Sequence, residues 1–289
     1  MKKIALIAPS SPAPDLTPDS LTLLRDKFAE NGYQIHLGSH ALDSVRYLAG
    51  TDEDRAFDVM AAFCDNTIDA VMTVRGGYGS PRLLDLLDYD LLRQNQKPFW
   101  TISDGTALQT ALWARSGISG YSGLQATFFL NPQNEKLIQT GLAAAQGHLP
   151  DIPIQKTWVP GRAQGIVVGG NLTVFMGLIG TPYFPDLTGK ILLMEDINEY
   201  PYRIDRLLAH LRLSGAFGQL AGIILGDFSG CVSKDLADGD IDAVFADYFQ
   251  NFPIPVVQIN YGHRNRETVV PIGKNVLIDT QTNRIKEIR

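Results

Sequence analysis

Short apolar runs alternate with amphipathic stretches through the first half of the chain. Residues 4–8, 33–37, 70–74 and 99–102 read as strands. Between them, residues 18–31 place Leu21, Leu24 and Phe28 on one helical face, and residues 52–64 follow a Thr51/Asp52 start signal. A further helix is expected over 81–87, opening on Pro81, and another over 104–115 directly after the fourth strand. Strand and helix alternating at this spacing predict parallel strands with helices on both faces. Past residue 131 the periodicity fades, and Pro132, Pro150, Pro153 and Pro160 accumulate before it returns. Beyond 163, apolar segments at 165–168, 190–194, 221–225, 256–259 and 275–278 predict short strands. One helix stands out among them: Pro201 starts it, Ile204, Leu207, Leu208 and Leu211 form its core stripe, and Gly215 ends it. The expected fold is therefore α/β. An N-terminal parallel-sheet domain takes residues 1–135, a linker 136–163, and a β-rich mixed domain 164–289.

Composition narrows the function. With 45% hydrophobic and 19% charged residues among 289, and 27 glycines, the chain suits a compact α/β protein. A net charge of -6 argues against a nucleic-acid partner, which needs clustered Lys and Arg. Cys64 and Cys231 make no metal spacing and have no activating neighbours, so free thiols are expected, with no metal and no cysteine nucleophile. The N-terminal apolar run breaks into Pro9, Pro12 and Pro14, too soon for a signal peptide. No stretch approaches the roughly 20 apolar residues of a membrane span, so a cytoplasmic chain without a membrane partner is expected.

Three separated groups carry candidate chemistry. Ser103 lies just past an apolar strand and opens a helix, in Thr101-Ile102-Ser103-Asp104-Gly105. This arrangement resembles a nucleophile elbow without the Gly-x-Ser-x-Gly letters, and on Ser103 alone the commoner reading is a serine N-cap. Glu195 ends the apolar run Ile191-Leu192-Leu193-Met194, where a carboxylate is costly unless paired, and a histidine N–H is a natural partner. His263 follows another strand in a glycine-containing loop and is the best base of the five histidines. A serine needs such a base to remove its proton, and the base needs a carboxylate to fix its tautomer. The loop Arg75-Gly76-Gly77-Tyr78-Gly79 also follows a strand, and its backbone amides suit a phosphate or an oxyanion. It is neither a P-loop nor a dinucleotide fingerprint. In parallel sheets the ligand crevice lies beyond the carboxyl ends of the strands, where this loop and Ser103 are both expected.

Taken as a set, these segments resemble the LD-carboxypeptidase family. The matching stretches run from Arg75-Gly76-Gly77-Tyr78-Gly79, Arg82-Leu83-Leu84-Asp85 and Ser103-Asp104-Gly105-Thr106 to Gly169-Gly170-Asn171-Leu172 and Glu195-Asp196-Ile197-Asn198-Glu199. They continue through Pro201-Tyr202-Arg203 to Gly262-His263. The resemblance implies a cytoplasmic serine peptidase, commonly a homodimer and with no cofactor, that removes the terminal D-alanine of a murein tetrapeptide. It implies Ser103 as nucleophile, His263 as base and Glu195 as its orienting carboxylate, with the Gly77 and Asp104 amides as the oxyanion hole. Gly76 and Tyr78 are expected beside the substrate, with Arg75, Arg82 and Arg203 as candidates for its terminal carboxylate. The chain departs from the family pattern at Thr101, where glycine is usual, and in Gly120-Tyr121-Ser122-Gly123, which lacks a His-Gly-Pro. Other readings are a same-fold hydrolase of a peptidyl-nucleotide antibiotic of the microcin C type, with Trp113 or Trp158 as a base platform, and a non-catalytic peptide-binding protein. A phosphate- or nucleotide-binding module is the remaining one.

Overall fold

Two sheets, the first covered by helices on both faces and the second on one, make up the computed structural model, which describes residues 1–235, 239–264 and 266–288. The first half forms β1 (Lys2–Ile7), α1 (Pro18–Glu30), β2 (Tyr33–Leu37), α2 (Asp52–Cys64), β3 (Ala70–Thr73), α3 (Tyr89–Gln94), β4 (Phe99–Thr101), α4 (Gly105–Ser116), β5 (Gly120–Ser122) and α5 (Glu135–Ala144). β1 to β5 are all parallel, in the order β2-β1-β3-β4-β5. The order reverses between β1 and β3, which opens a crevice at their carboxyl ends. Local chemistry explains the helices. Thr17 caps α1 through the Ser20 N–H at 3.3 Å, and Thr51 and Asp54 form a reciprocal capping box on α2. Residues 80–86 wind as a 3₁₀ segment rather than the expected α-helix, a tighter form common in short connections.

The second half comprises β6 (Ile152–Pro153), β7 (Lys156–Val159), β8 (Arg162–Asn171), α6 (Leu172–Met176), β9 (Ile191–Ile197), α7 (Pro201–Leu213), β10 (Gly222–Ser229), α8 (Ile241–Phe249), β11 (Val256–Gln258), β12 (Val270–Ile272), β13 (Asn275–Asp279) and β14 (Arg284–Glu287). Its sheet has the order β6-β14-β13-β8-β9-β10-β11-β7, with a parallel centre from β8 to β11 and antiparallel strands at both margins. The protein is thus mixed α/β, a parallel-rich sheet beside a larger mixed one.

Two elements tie the halves together. β12 leaves the second sheet and pairs antiparallel with β5 at the edge of the first, where Pro271 is tolerated because an edge strand needs fewer N–H donors. The segment 136–163 is structured: α5 lays Leu137, Ile138 and Leu142 into the first core, and Trp100 Nε1 and Tyr121 OH donate to its Gly141 and Ala144 carbonyls. β6 and β7 then extend the second sheet. Between the sheets, α4 is buried through its first two turns, and it packs on both α6 and β8. A helix buried around its circumference is a rigid mount.

Candidate active site

Ser103 sits between β4 and α4 at φ +64°, in the left-handed region that costs a non-glycine residue roughly 1–2 kcal/mol. It does not act as an N-cap by its side chain, and Asp104, the N-cap residue, makes no side-chain cap bond either. Instead the Asp104 carboxylate, buried, accepts from Ser10 Oγ at 2.6 Å and Ser80 N at 2.7 Å, while Ser80 Oγ donates to the Asp104 carbonyl at 2.5 Å. These bonds anchor the turn to the loops after β1 and β3, and Ser103 O accepts from Thr106 N at 2.9 Å. The strained turn is held from three sides. Thr101 is accommodated by Gly105: a Cβ there would run into Thr101 Oγ1, and the Thr101 hydroxyl pairs with Thr73 Oγ1 at 3.0 Å.

The glycine loop closes on Ser103. A Cβ on Gly76 would lie 2.7 Å from Ser103 Cβ, so only glycine lets the two backbones approach this closely. Gly76 N donates to Gln125 Oε1 at 3.0 Å and Tyr78 N to Ser11 Oγ at 3.1 Å. The Gly77 N–H between them, and the Asp104 N–H after Ser103, have no acceptor among the described residues.

Glu195, in β9, is completely buried, and its Oε2 lies 2.9 Å from His263 Nδ1. Asn171 at the end of β8 donates to Glu195 Oε1 at 3.3 Å and to Asp196 Oδ1 at 3.1 Å. Asp196 also accepts from Thr173 N, Thr173 Oγ1 and Ile197 N, so the neighbouring buried acid is fully engaged. Burial pushes the Glu195 carboxyl above its ordinary value, against the opposing pull of His263. Burial also depresses His263, but the Glu195 hydrogen bond and charge outweigh it and hold the imidazole above its usual value. Ser103 and His263 line one cavity of about 320 Å³ with Gly76, Gly77 and Arg75. No hydrogen bond joins Ser103 Oγ to His263 among the described residues. Such contacts are often long until substrate arrives.

The other expected residues lie elsewhere. Arg82 is held by Asp52 through bonds of 2.6–3.0 Å, and Arg203 pairs with Glu199 at 3.0 Å; neither lines the cavity. Tyr78 is half exposed and meets Tyr47 at 5.8 Å between centroids, away from the lining. Trp113 abuts Gly273 and Trp158 packs edge-on against Phe245, so neither offers a platform in the cavity. Sequence reasoning missed Gln125, Phe128 and Arg266, which do line it. Gln125 and Arg266 sit on loops and Phe128 in a short 3₁₀ segment (Ala126–Leu130), all without periodicity, and the one available signal was that Arg266 follows His263 by three residues. The only His/Asp group with metal-like spacing among the described residues is His40, Asp43 and Asp54, at the start of α2.

Residues 4–123 match the LD-carboxypeptidase N-terminal domain and residues 164–278 the C-terminal domain. The chain belongs to the LD-carboxypeptidase family. It is 33% identical to the murein tetrapeptide carboxypeptidase of Pseudomonas aeruginosa, over 96% of this chain and 93% of that one. It is 32% identical to a "probable murein peptide carboxypeptidase" of Bacillus subtilis, over 96% and 88%. Among solved structures, an MccF-like protein from Bacillus anthracis superposes with a TM-score of 0.87 at 26% identity, covering 99% of this chain and 96% of that one.

Proposed function

We propose that this LD-carboxypeptidase is a serine-type enzyme that releases the terminal D-alanine of L-Ala-D-Glu-meso-diaminopimelate-D-Ala during wall recycling in the cytoplasm. The observation that carries this reading is the shared cavity: a strained, non-capping Ser103 lines it together with a histidine whose far nitrogen is held by a buried carboxylate. In the proposed reaction Ser103 Oγ attacks the diaminopimelate carbonyl while His263 Nε2 takes its proton. Glu195 fixes the tautomer that leaves Nε2 free and stabilises the imidazolium. The Gly77 and Asp104 amides, without an acceptor among the described residues, receive the oxyanion, a contribution of about 3–4 kcal/mol per donor in comparable sites. The imidazolium then protonates the departing amine, and water, activated by the same base, releases the acyl group from Ser103. The proposal extends to a homodimer of chains with an N-terminal and a C-terminal domain.

The test is mass spectrometry of the tetrapeptide incubated with wild type and Ser103→Ala. Loss of one alanine with the wild type only is the expected result, Ser103→Ala falling by several orders of magnitude. Equal activity in both would remove Ser103 from the mechanism. A second reading, cleavage of a peptidyl-nucleotide antibiotic, draws on the likeness to the MccF-like structure. The absence of Trp113 and Trp158 from the cavity lining weighs against it. The antibiotic conjugate is the substrate to try if the tetrapeptide stays intact.

A further inference from the structure

An enzyme that removes a single C-terminal residue meets a carboxylate only one peptide unit, about 3.8 Å of chain, from the bond it breaks. Whatever cation holds that carboxylate must therefore line the Ser103 cavity itself. Among the described residues two do, Arg75 and Arg266, and no Asp or Glu shares the lining to neutralise them. The cavity is thus positive in a chain of net charge -6. Arg75 already commits Nη1 to the Pro12 carbonyl at 3.3 Å. Arg266 differs: its guanidinium lies over the Phe128 ring, 4.4 Å from the centroid, and it makes no hydrogen bond or ion pair among the described residues. Stacking fixes the plane of a guanidinium and leaves its edge N–H groups free, the arrangement that binds a carboxylate through two parallel bonds. Arg266 is half-buried, and burial pushes its pKa below the ordinary arginine value. A partly desolvated cation without a partner is costly to keep and is relieved by an incoming anion.

We infer that Arg266, stacked on Phe128, binds the free carboxylate of the leaving residue and thereby confines cleavage to the C-terminus. The inference rests on the proposed peptidase reading. It has a consequence for the base: Arg266 opposes protonation of His263, so a carboxylate seated on it lets the imidazole accept the serine proton more readily.

The experiment compares the tetrapeptide with its C-terminal carboxamide, using wild type, Arg266→Gln, Arg266→Lys and Arg75→Gln, each checked for wild-type melting. The wild type is expected to prefer the acid. Arg266→Gln should lower kcat/KM on the acid about 10- to 100-fold, mainly through KM, and collapse the acid-to-amide ratio. Arg266→Lys should restore part of that ratio. A folded Arg266→Gln that keeps the wild-type preference, or a ratio that collapses in Arg75→Gln instead, overturns the assignment and leaves the peptidase reading standing. A wild type that releases alanine from neither peptide overturns the peptidase reading, and this assignment with it.

Discussion

At the scale of single residues, the strain in the candidate site lies in one backbone, that of Ser103. Ser103 keeps a left-handed backbone that an L-residue adopts at a cost. Ser103→Ala retains that cost, whereas Ser103→Gly relieves it. The glycine variant should therefore be about 1 kcal/mol more stable than the alanine variant in urea, with both expected to be inactive. Equal stabilities would mean that the turn is unstrained. His263 supplies a second prediction. The proposed base works as the neutral imidazole, and its folded pKa is raised, so activity should be full above that pKa and fall as pH drops through it. The acid limb of kcat/KM should thus lie above the ordinary histidine value of about 6.5. Glu195→Gln removes the charge responsible for the rise, and should shift the limb to lower pH as well as slow the reaction. A limb that moves upward in Glu195→Gln would contradict the assigned pairing.

At the scale of elements, one contact explains how the strand-to-helix junction admits Thr101. Thr101 at the end of β4 occupies the space that a side chain at the first position of α4 would need. Gly105→Ala should destabilise the protein by about 1–3 kcal/mol through this overlap. Adding Thr101→Gly should return part of the loss, with a coupling energy outside additivity. Simple additivity in denaturant melts would show that the two residues do not compete. The buried Asp104 network has a related role, because it fastens α4 to the loops after β1 and β3 on which the glycine cradle depends.

At the scale of the molecule, the candidate nucleophile is mounted on one sheet and the acid–base pair on the other. Their relative position depends on β12, which crosses to the first sheet, and on α4 packed against α6 and β8. Such coupling predicts one cooperative transition. Thermal unfolding followed by far-UV circular dichroism should coincide with that followed by tryptophan fluorescence, since Trp100 lies in the first core and Trp158 beside the second. Two separated transitions would mean that the halves unfold independently.

The sequence by itself determined much of this. Apolar runs marked β1 to β4, one-sided stripes marked α1 and α7, and a start signal or a place directly after a strand marked α2 and α4, because each rests on a local pattern that shows in the letters. Ser103, Glu195 and His263 were legible for a similar reason, each standing where a predicted strand gives way to a loop. What lay between them was not legible. α5 sits in a proline-bearing stretch that reads as linker, and β12 is three residues long and contains proline. Their stabilisation comes from partners far along the chain, not from local pattern. The same holds for the arginines. Arg75, Arg82, Arg203 and Arg266 are alike as letters, and only the tertiary structure gave Arg82 to Asp52 and Arg203 to Glu199. It left Arg266 over Phe128, 138 positions away in the chain (266 − 128), and without a partner among the described residues, because a charge is satisfied by whatever the fold brings beside it, and sequence spacing does not record that distance.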